Sequence, residues 1–411
     1  MKRPRILFVS PRLPHPLNSG TKIRIGNLAR ALKEVGDMDF VGFCDERELD
    51  ESLDRGSADE PWWGNFRSVQ LLKEPRWFGT DPKGYRNAMH RHPFSKDALL
   101  YPSFMCDRFY NLVEPLATAA DLIWVERLHI ARLLSGFSKK MVVDLDDIES
   151  IKISRMATAE TGMYTRWSMG REAKRLATAE KSAIRTFAGI AVCSEQDTNF
   201  FDAEADRAWV VPNGVSDDLM FAPPVPREAH HLVFVGTLNY SPNQDAVQHF
   251  CRRIFPRILS RLPNARLSIV GLDPPDSILA LQDGKHVFVY ANVPDVAPFV
   301  KRAALSIVPI RAGAGTRLKI LESLALDTPV VSTRIGAEGL ALTDGEHFLL
   351  ADEADEFAAA VIRLLEDENL HARLCRQGRD RVRERYLWSS IRSELAQRCD
   401  DLLRATLNSS G

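Results

Sequence analysis

Short apolar runs alternate with stretches of helical spacing along nearly the whole chain, and that alternation most restricts its fold. A run apolar throughout suits a strand covered on both faces, and a helix between two such runs returns the chain for parallel pairing. In the amino half, Arg5–Ser10 is followed by a proline-rich loop ending at Asn18-Ser19-Gly20. Ile25, Leu28, Ala29, Leu32 and Val35 then fall at helical spacing. Residues 40–43, 122–125, 141–145 and 190–193 supply further buried strands, while between 49 and 115 the pattern blurs around Trp62, Trp63 and Trp77. After a turn at 210–214, Ala222-Pro223-Pro224-Val225-Pro226 is a stiff connector. A second alternation follows: 232–235 ending at Gly236, a helix carrying Ala246, Val247, Phe250, Ile254 and Ile258, and strands at 266–270, 287–290, 305–310, 329–332 and 348–350. Helices fill the remainder. The expected fold is α/β, with two Rossmann-like, doubly wound domains facing a cleft at the carboxyl ends of their strands. Residues 1–220 form the first, 221–385 the second, and 386–411 a closing helix.

A chain of 411 residues has room for two such domains, each with its own core. Its 54 basic and 55 acidic residues leave a net charge of −1, so no global field favours nucleic acid. The six cysteines are scattered, without a Cys-x-x-Cys pair, which suits reduced thiols in the cytoplasm better than a disulfide frame or zinc site. The start, Met1-Lys2-Arg3-Pro4-Arg5, runs into an apolar stretch too short for a signal peptide, and no run approaches the ~18 apolar residues of a spanning helix. Any contact with a membrane would therefore be peripheral, from one side, on its inner face.

The segment Gly313-Ala314-Gly315-Thr316-Arg317-Leu318-Lys319-Ile320-Leu321-Glu322 carries the strongest chemical signal. Its glycines let backbone approach a ligand, and Thr316 is placed to cap the helix that begins there. Free N–H groups at that helix start suit an anion. Lys319 and Glu322 share a face, with Leu318, Leu321 and Ala325 turned inward. A cation beside a helix start and an acid one turn later fit the diphosphate and ribose hydroxyls of an activated nucleotide.

Phe234-Val235-Gly236 with Pro242-Asn243, Ile269-Val270-Gly271, Val293-Pro294-Asp295, the 313–322 segment and Pro329-Val330-Val331-Ser332-Thr333 occur in consistent order. From Leu232 onward the chain thereby resembles the retaining, GT-B fold glycosyltransferases of the family called glycosyl transferases group one. The amino half matches more thinly, through the 5–10 strand, the loop ending at Gly20, Ser194-Glu195 and Pro212-Asn213-Gly214-Val215. The resemblance implies a nucleoside diphosphate sugar as donor substrate, a glycan or glycolipid acceptor, and no metal or other cofactor. Gly20, Gly236, Thr237, Gly313, Ala314, Gly315 and Thr316 would line the donor, with Asn292 and Val293 against the base and Glu322 on the ribose. Arg317 and Lys319 would neutralise the departing diphosphate, and the phosphate would help deprotonate the acceptor on the same face. Glu126 or Asp146, with His129, would take the amino-domain catalytic positions, the alternative being a structural acid and a half-buried imidazole.

Three departures from the family pattern stand out. Ala314 replaces the first Glu of its Glu-x₇-Glu element, Thr237 follows Gly236 where many members carry Arg or Lys, and the usual amino-domain His is out of register. These motivate two other readings, a non-catalytic glycosyltransferase-like subunit and a sugar-nucleotide epimerase. Asp144-Leu145-Asp146-Asp147 could bind Mg²⁺ or serve the acceptor side. Between 151 and 187 there are eight Lys or Arg residues against three acids, with Trp167 among them, a composition suited either to anionic lipid or to a solvated helical face. His90-Arg91-His92 and His230-His231 read as surface features.

Overall fold

A computed structural model describes residues 3–14, 20–44, 64, 66–73, 106–159, 162–313 and 315–408. Trp62, Trp63, Trp77, the 90–92 histidine pair and Ala314 lie outside these. The chain divides into two compact units, Met1–Pro212 with Ile391–Gly411, and Asn213–Ser390.

The first unit is built on seven strands: β1 (Arg5–Ser10), β2 (Asp37–Cys44), β3 (Ser68–Lys73), β4 (Leu122–Glu126), β5 (Met141–Asp144), β6 (Gly189–Val192) and β7 (Ala208–Val210). They pair in the order β3-β2-β1-β4-β5-β6-β7, every pair parallel. Ile6, Leu7, Phe8 and Val9 are wholly buried, as are Ile123, Trp124 and Val125. Such continuous burial is why these strands read as unbroken apolar runs. The order reverses between β1 and β4, where doubly wound sheets open a crevice at their carboxyl ends. Val9 pairs with Val125, and Glu126 with Asp144, so Ser10, Glu126 and Asp144 line up along that edge. The sequence pattern missed β3 and β7, the two edges of the sheet.

The second unit carries β8 (His231–Val235), β9 (Arg266–Gly271), β10 (Val287–Ala291), β11 (Leu305–Val308), β12 (Val330–Ser332) and β13 (Leu349–Leu350). Their order is β10-β9-β8-β11-β12-β13, again all parallel, with the reversal between β8 and β11. Phe234, Phe250, Ile258 and Phe357 anchor its core. His231, read as a surface residue, is instead buried in β8, where its Nε2 lies 2.8 Å from Ser268 Oγ. Helices Ala354–Glu366 and Glu368–Arg385 pack on this unit, and a final helix spans Trp388–Asn408. Within the first unit, Arg392 Nη1 of that last helix donates to Asn27 Oδ1 at 3.1 Å.

Candidate active site

The second unit's strongest chemistry lies just beyond β8 and β11, at its topological reversal. After β11 the chain turns through Gly313 (φ +110°) and Gly315 (φ +90°), a left-handed region that glycine enters without steric cost. A Cβ on Gly313 would stand 2.9 Å from Arg317 Nη2. The helix that follows is Leu318–Ala325, with Arg317 as its N-cap and no side-chain cap. The expectation for Thr316 is thus corrected. Thr316 stands one position too early, its carbonyl accepts from Leu318 N, and its Oγ1 takes an amide hydrogen from Asn213 at 3.4 Å. Arg317 folds back, Nη1 donating to Gly315 O at 3.0 Å. Ile320, Leu321, Leu324 and Ala325 form the buried face, with Leu318 only partly covered.

Lys319, half-buried, points from this helix toward β8. Its ammonium donates to Asn243 Oδ1 at 2.9 Å and sits 4.3 Å from the centre of the Phe234 ring. Asn243 Nδ2 in turn donates to the Thr237 carbonyl at 2.8 Å. A Cβ on Gly236 would come within 2.8 Å of Lys319 Nζ and 2.9 Å of Asn243 Nδ2, so a side chain there would push the cation aside. Burial, then the Arg317 charge, lowers the Lys319 pKa to about 7, partly offset by Glu322. Burial likewise raises the Glu322 carboxyl, against the opposing pull of Lys319. An anion arriving here would meet a cation that its surroundings have left short of counter-charge.

Two more loops leave the same edge of the sheet. Asn292, at φ +53°, accepts from Asp273 N at 2.9 Å and donates its own N–H to Gly271 O at 2.9 Å, so it shapes the turn after β10. Val293, partly buried, packs on the small cluster that contains Val233, Val270 and Val300. Tyr290, exposed, tilts against Phe299 with ring centres 4.8 Å apart.

In the first unit the carboxyl edge gathers a buried ionic network. Arg24, from the helix Gly20–Val35, grips Asp144 through two bonds of 2.8 Å and donates a third to Val211 O. Asp146, at φ +58°, accepts from Arg127 Nη2 at 2.9 Å and lies 3.2 Å from the Cys193 thiol. Asp144 is thus paired with arginine. Among the described residues no cluster of three or more His, Cys, Asp or Glu side chains stands at metal spacing.

Glu126 is 2.8 Å from Ser10 Oγ and nearly solvent-free. Burial first, and Asp144 second, push its carboxyl up to about 8, so it holds a proton at neutral pH. The hydroxyl geometry agrees, because Ser10 Oγ also lies 2.8 Å from Arg12 O and has one hydrogen to give. A protonated Glu126 donating to Ser10 leaves that hydrogen for Arg12. His129, half-buried in the helix Leu128–Leu133, is held neutral by burial and by Arg127. Gly20 opens its helix in an exposed position. Arg24, Arg127, Ser10 and Asn243 escaped assignment as site residues. An inward-facing arginine satisfied by an acid 120 residues away leaves no local periodic signal.

Residues 229–367 match the family model described as Glycosyl transferases group 1. A curated relative, the phosphatidyl-myo-inositol mannosyltransferase of Mycolicibacterium smegmatis, is 29% identical over 205 residues, covering 47% of this chain and 52% of that protein. The chain thus spans about half the length of that relative. Sucrose-phosphate synthase from Thermosynechococcus elongatus superposes with a TM-score of 0.68 at 15% identity, covering 100% of both chains. HepE from Anabaena, solved with UDP and glucose, gives 0.61 at 14%, covering 97% of this chain and 100% of that one. Identities this low establish a shared fold alone. The chain thus has the GT-B fold, and its residues 229–367 resemble the glycosyl transferases group 1 domain.

Proposed function

We propose that the protein transfers a hexose-type group from a nucleoside diphosphate sugar to a glycan or lipid-linked acceptor, with retention of anomeric configuration and without a metal. The supporting observation is the Lys319 ammonium, half-buried at a glycine turn and helix start. The donor diphosphate would lie against the 313–319 backbone, with Glu322 accepting from the ribose hydroxyls and the 290–293 turn beside the base. As the bond between the anomeric carbon and phosphate oxygen breaks, the electron pair leaves with the nucleoside diphosphate. Arg317, Lys319 and the helix N–H groups stabilise that charge, and preorganised cations of this kind contribute most where water is scarce. The acceptor oxygen bonds to the anomeric carbon on the face just vacated, and its proton passes to the departing phosphate.

Thr237 argues less for an inactive subunit than its sequence suggests. Lys319 already delivers a cation to the space above Gly236, where a side chain at that glycine would collide with it. Glu126 and Asp146, engaged by Ser10 and Arg127, are better read as positioning residues for the amino unit's strand ends than as groups exchanging protons with substrate. His129, neutral, can offer or accept one hydrogen bond there. A lipid-linked acceptor draws support from the relative that bears a phosphatidylinositol in its name. Incubating the purified chain with UDP-, GDP-, ADP- and dTDP-sugars, with and without acceptor and with EDTA present, tests the reading. Acceptor-dependent release of nucleoside diphosphate is expected. Interconversion of the sugar without release would mark an epimerase, and inertness toward all four donors an inactive subunit.

A further inference from the structure

The helix Met163–Thr186 sorts its charges in an unusual way. Both of its acids, Glu172 and Glu180, are buried, Glu172 beside Arg175 and Glu180 accepting from the backbone of residues 149 and 150. Its solvent face runs through Tyr164, Trp167, Arg171, Lys174, Thr178, Lys181 and Arg185 at three- and four-residue spacing. At the far end of this stripe the bases are neutralised, Lys181 by Asp202 and Arg185 by Glu204. The surplus positive charge therefore concentrates in the first three turns, on Arg166, Arg171 and Lys174.

The same turns expose apolar side chains that a monomeric protein ordinarily covers. Met163 is 87% exposed, Tyr164 51% and Trp167 44%, and Met156 of the adjoining helix Glu149–Ala159 is 44% exposed. Tyr164 and Trp167 stand 5.9 Å apart, and the Arg171 guanidinium lies 5.2 Å from the Trp167 ring centre. The pair of helices already has a small core of its own, Ile153, Ala157, Met169, Ala173 and Leu176, so these exposed groups are not unsatisfied packing residues. Tyrosine and tryptophan prefer the headgroup level of a bilayer, and bases beside them are attracted to anionic lipid. No described helix is long and apolar enough to cross a membrane, so the contact would be one of lying on the surface.

We infer that the amino-terminal turns of this helix dock on an anionic lipid bilayer, with Met163, Tyr164 and Trp167 entering the headgroup layer and Arg166, Arg171 and Lys174 pairing with lipid phosphates. The inference rests on the lipid-linked form of the acceptor proposed above, and it names the surface that would bring the enzyme to that acceptor.

Cosedimentation of the full chain with vesicles of phosphatidylcholine alone, and of phosphatidylcholine with phosphatidylglycerol, tests it. Binding should favour the anionic vesicles at least about tenfold and weaken with salt. Trp167→Glu with Met163→Glu, and separately the triple reversal Arg166→Glu, Arg171→Glu and Lys174→Glu, should each lower anionic binding on the order of a hundredfold. These positions are exposed, and the thermal shift given by a nucleotide sugar should be unchanged in both variants. Equal binding to both vesicle types, or unchanged binding by either variant, overturns the inference. So does a dimer that Trp167→Glu dissolves and vesicles leave intact, which would make the occupant a second copy. Failure of the unaltered chain to bind anionic vesicles, with an intact nucleotide-sugar response, removes this inference alone. Vesicle binding without any nucleotide-sugar response removes the proposed function and keeps the surface.

Discussion

The Lys319 ammonium donates to the Asn243 side-chain oxygen at 2.9 Å, in the space that the absent side chain of Gly236 leaves open. Asn243 is neutral, so this bond orients the cation without cancelling its charge. Lys319→Gln should keep the geometry and lose the charge, lowering turnover on the order of a hundredfold to a thousandfold. Steady-state kinetics should show the loss in kcat/KM, with donor KM raised as well as kcat lowered. Because the ammonium is held against its solvation preference, Lys319→Met should raise Tm by a few degrees.

Donor affinity should depend on pH through the same group. Lys319 releases its proton near pH 7 in the free protein, and a bound diphosphate raises that pKa. Affinity is then greatest below about 7 and weakens as pH rises, by up to about tenfold per unit until the bound form also titrates. A nucleoside diphosphate sugar has no titrating phosphate in this range, so calorimetry from pH 6 to 9 isolates the effect. In Lys319→Gln the slope should vanish.

Gly236→Ala places a methyl 2.8 Å from Lys319 Nζ and 2.9 Å from Asn243 Nδ2. Both are side-chain ends that can move, so the fold should survive at a cost of about 1–3 kcal/mol. Donor binding should fall more than about tenfold, because the cation is displaced. Thermal melting and calorimetry on one preparation separate the two effects.

Arg24 and Asp144 form a pair in which each side chain is 1% exposed. Arg24→Ala leaves a carboxylate buried without its partner and should destabilise by about 3–5 kcal/mol, read as a fall in urea midpoint. Arg24→Met combined with Asp144→Leu should recover most of that loss.

Glu126 holds its proton up to about pH 8 in the folded chain, whereas an unfolded glutamate releases it near 4.3. The folded state then binds more protons across that window, so this group's contribution to stability is complete below about 4.3 and is lost as pH rises through 8. Glu126→Gln should flatten the decline in Tm between pH 5 and 8.

The architecture was readable because interior parallel strands have no polar face. The sequence 6–9 and 122–125 runs carry their burial in their composition. β3 and β7 failed to register for the complementary reason: they are edges, β3 bearing Gln70 and Lys73 and β7 only three residues long. The glycines of the 313–315 turn were legible through their backbone freedom, and Lys319 through its place after them. Thr316 misled because a hydroxyl before an apolar periodic run looks like a cap, while the two glycines carry the chain one residue further before it winds. The Arg24–Asp144 and Lys319–Asn243 contacts were illegible, since each joins side chains brought together by the sheet and not by neighbouring sequence.

Thermal-shift titration with UDP-, GDP-, ADP- and dTDP-sugars, repeated on Lys319→Ala and Glu322→Ala, tests the donor site most directly, since a ligand selective for the folded state raises Tm by mass action. One nucleotide class should stabilise the unaltered chain, with the shift reduced in Lys319→Ala and nearly abolished in Glu322→Ala. A shift of equal size in all three proteins, or none with any donor, would contradict the assignment of the 313–322 turn and helix to a nucleotide diphosphate.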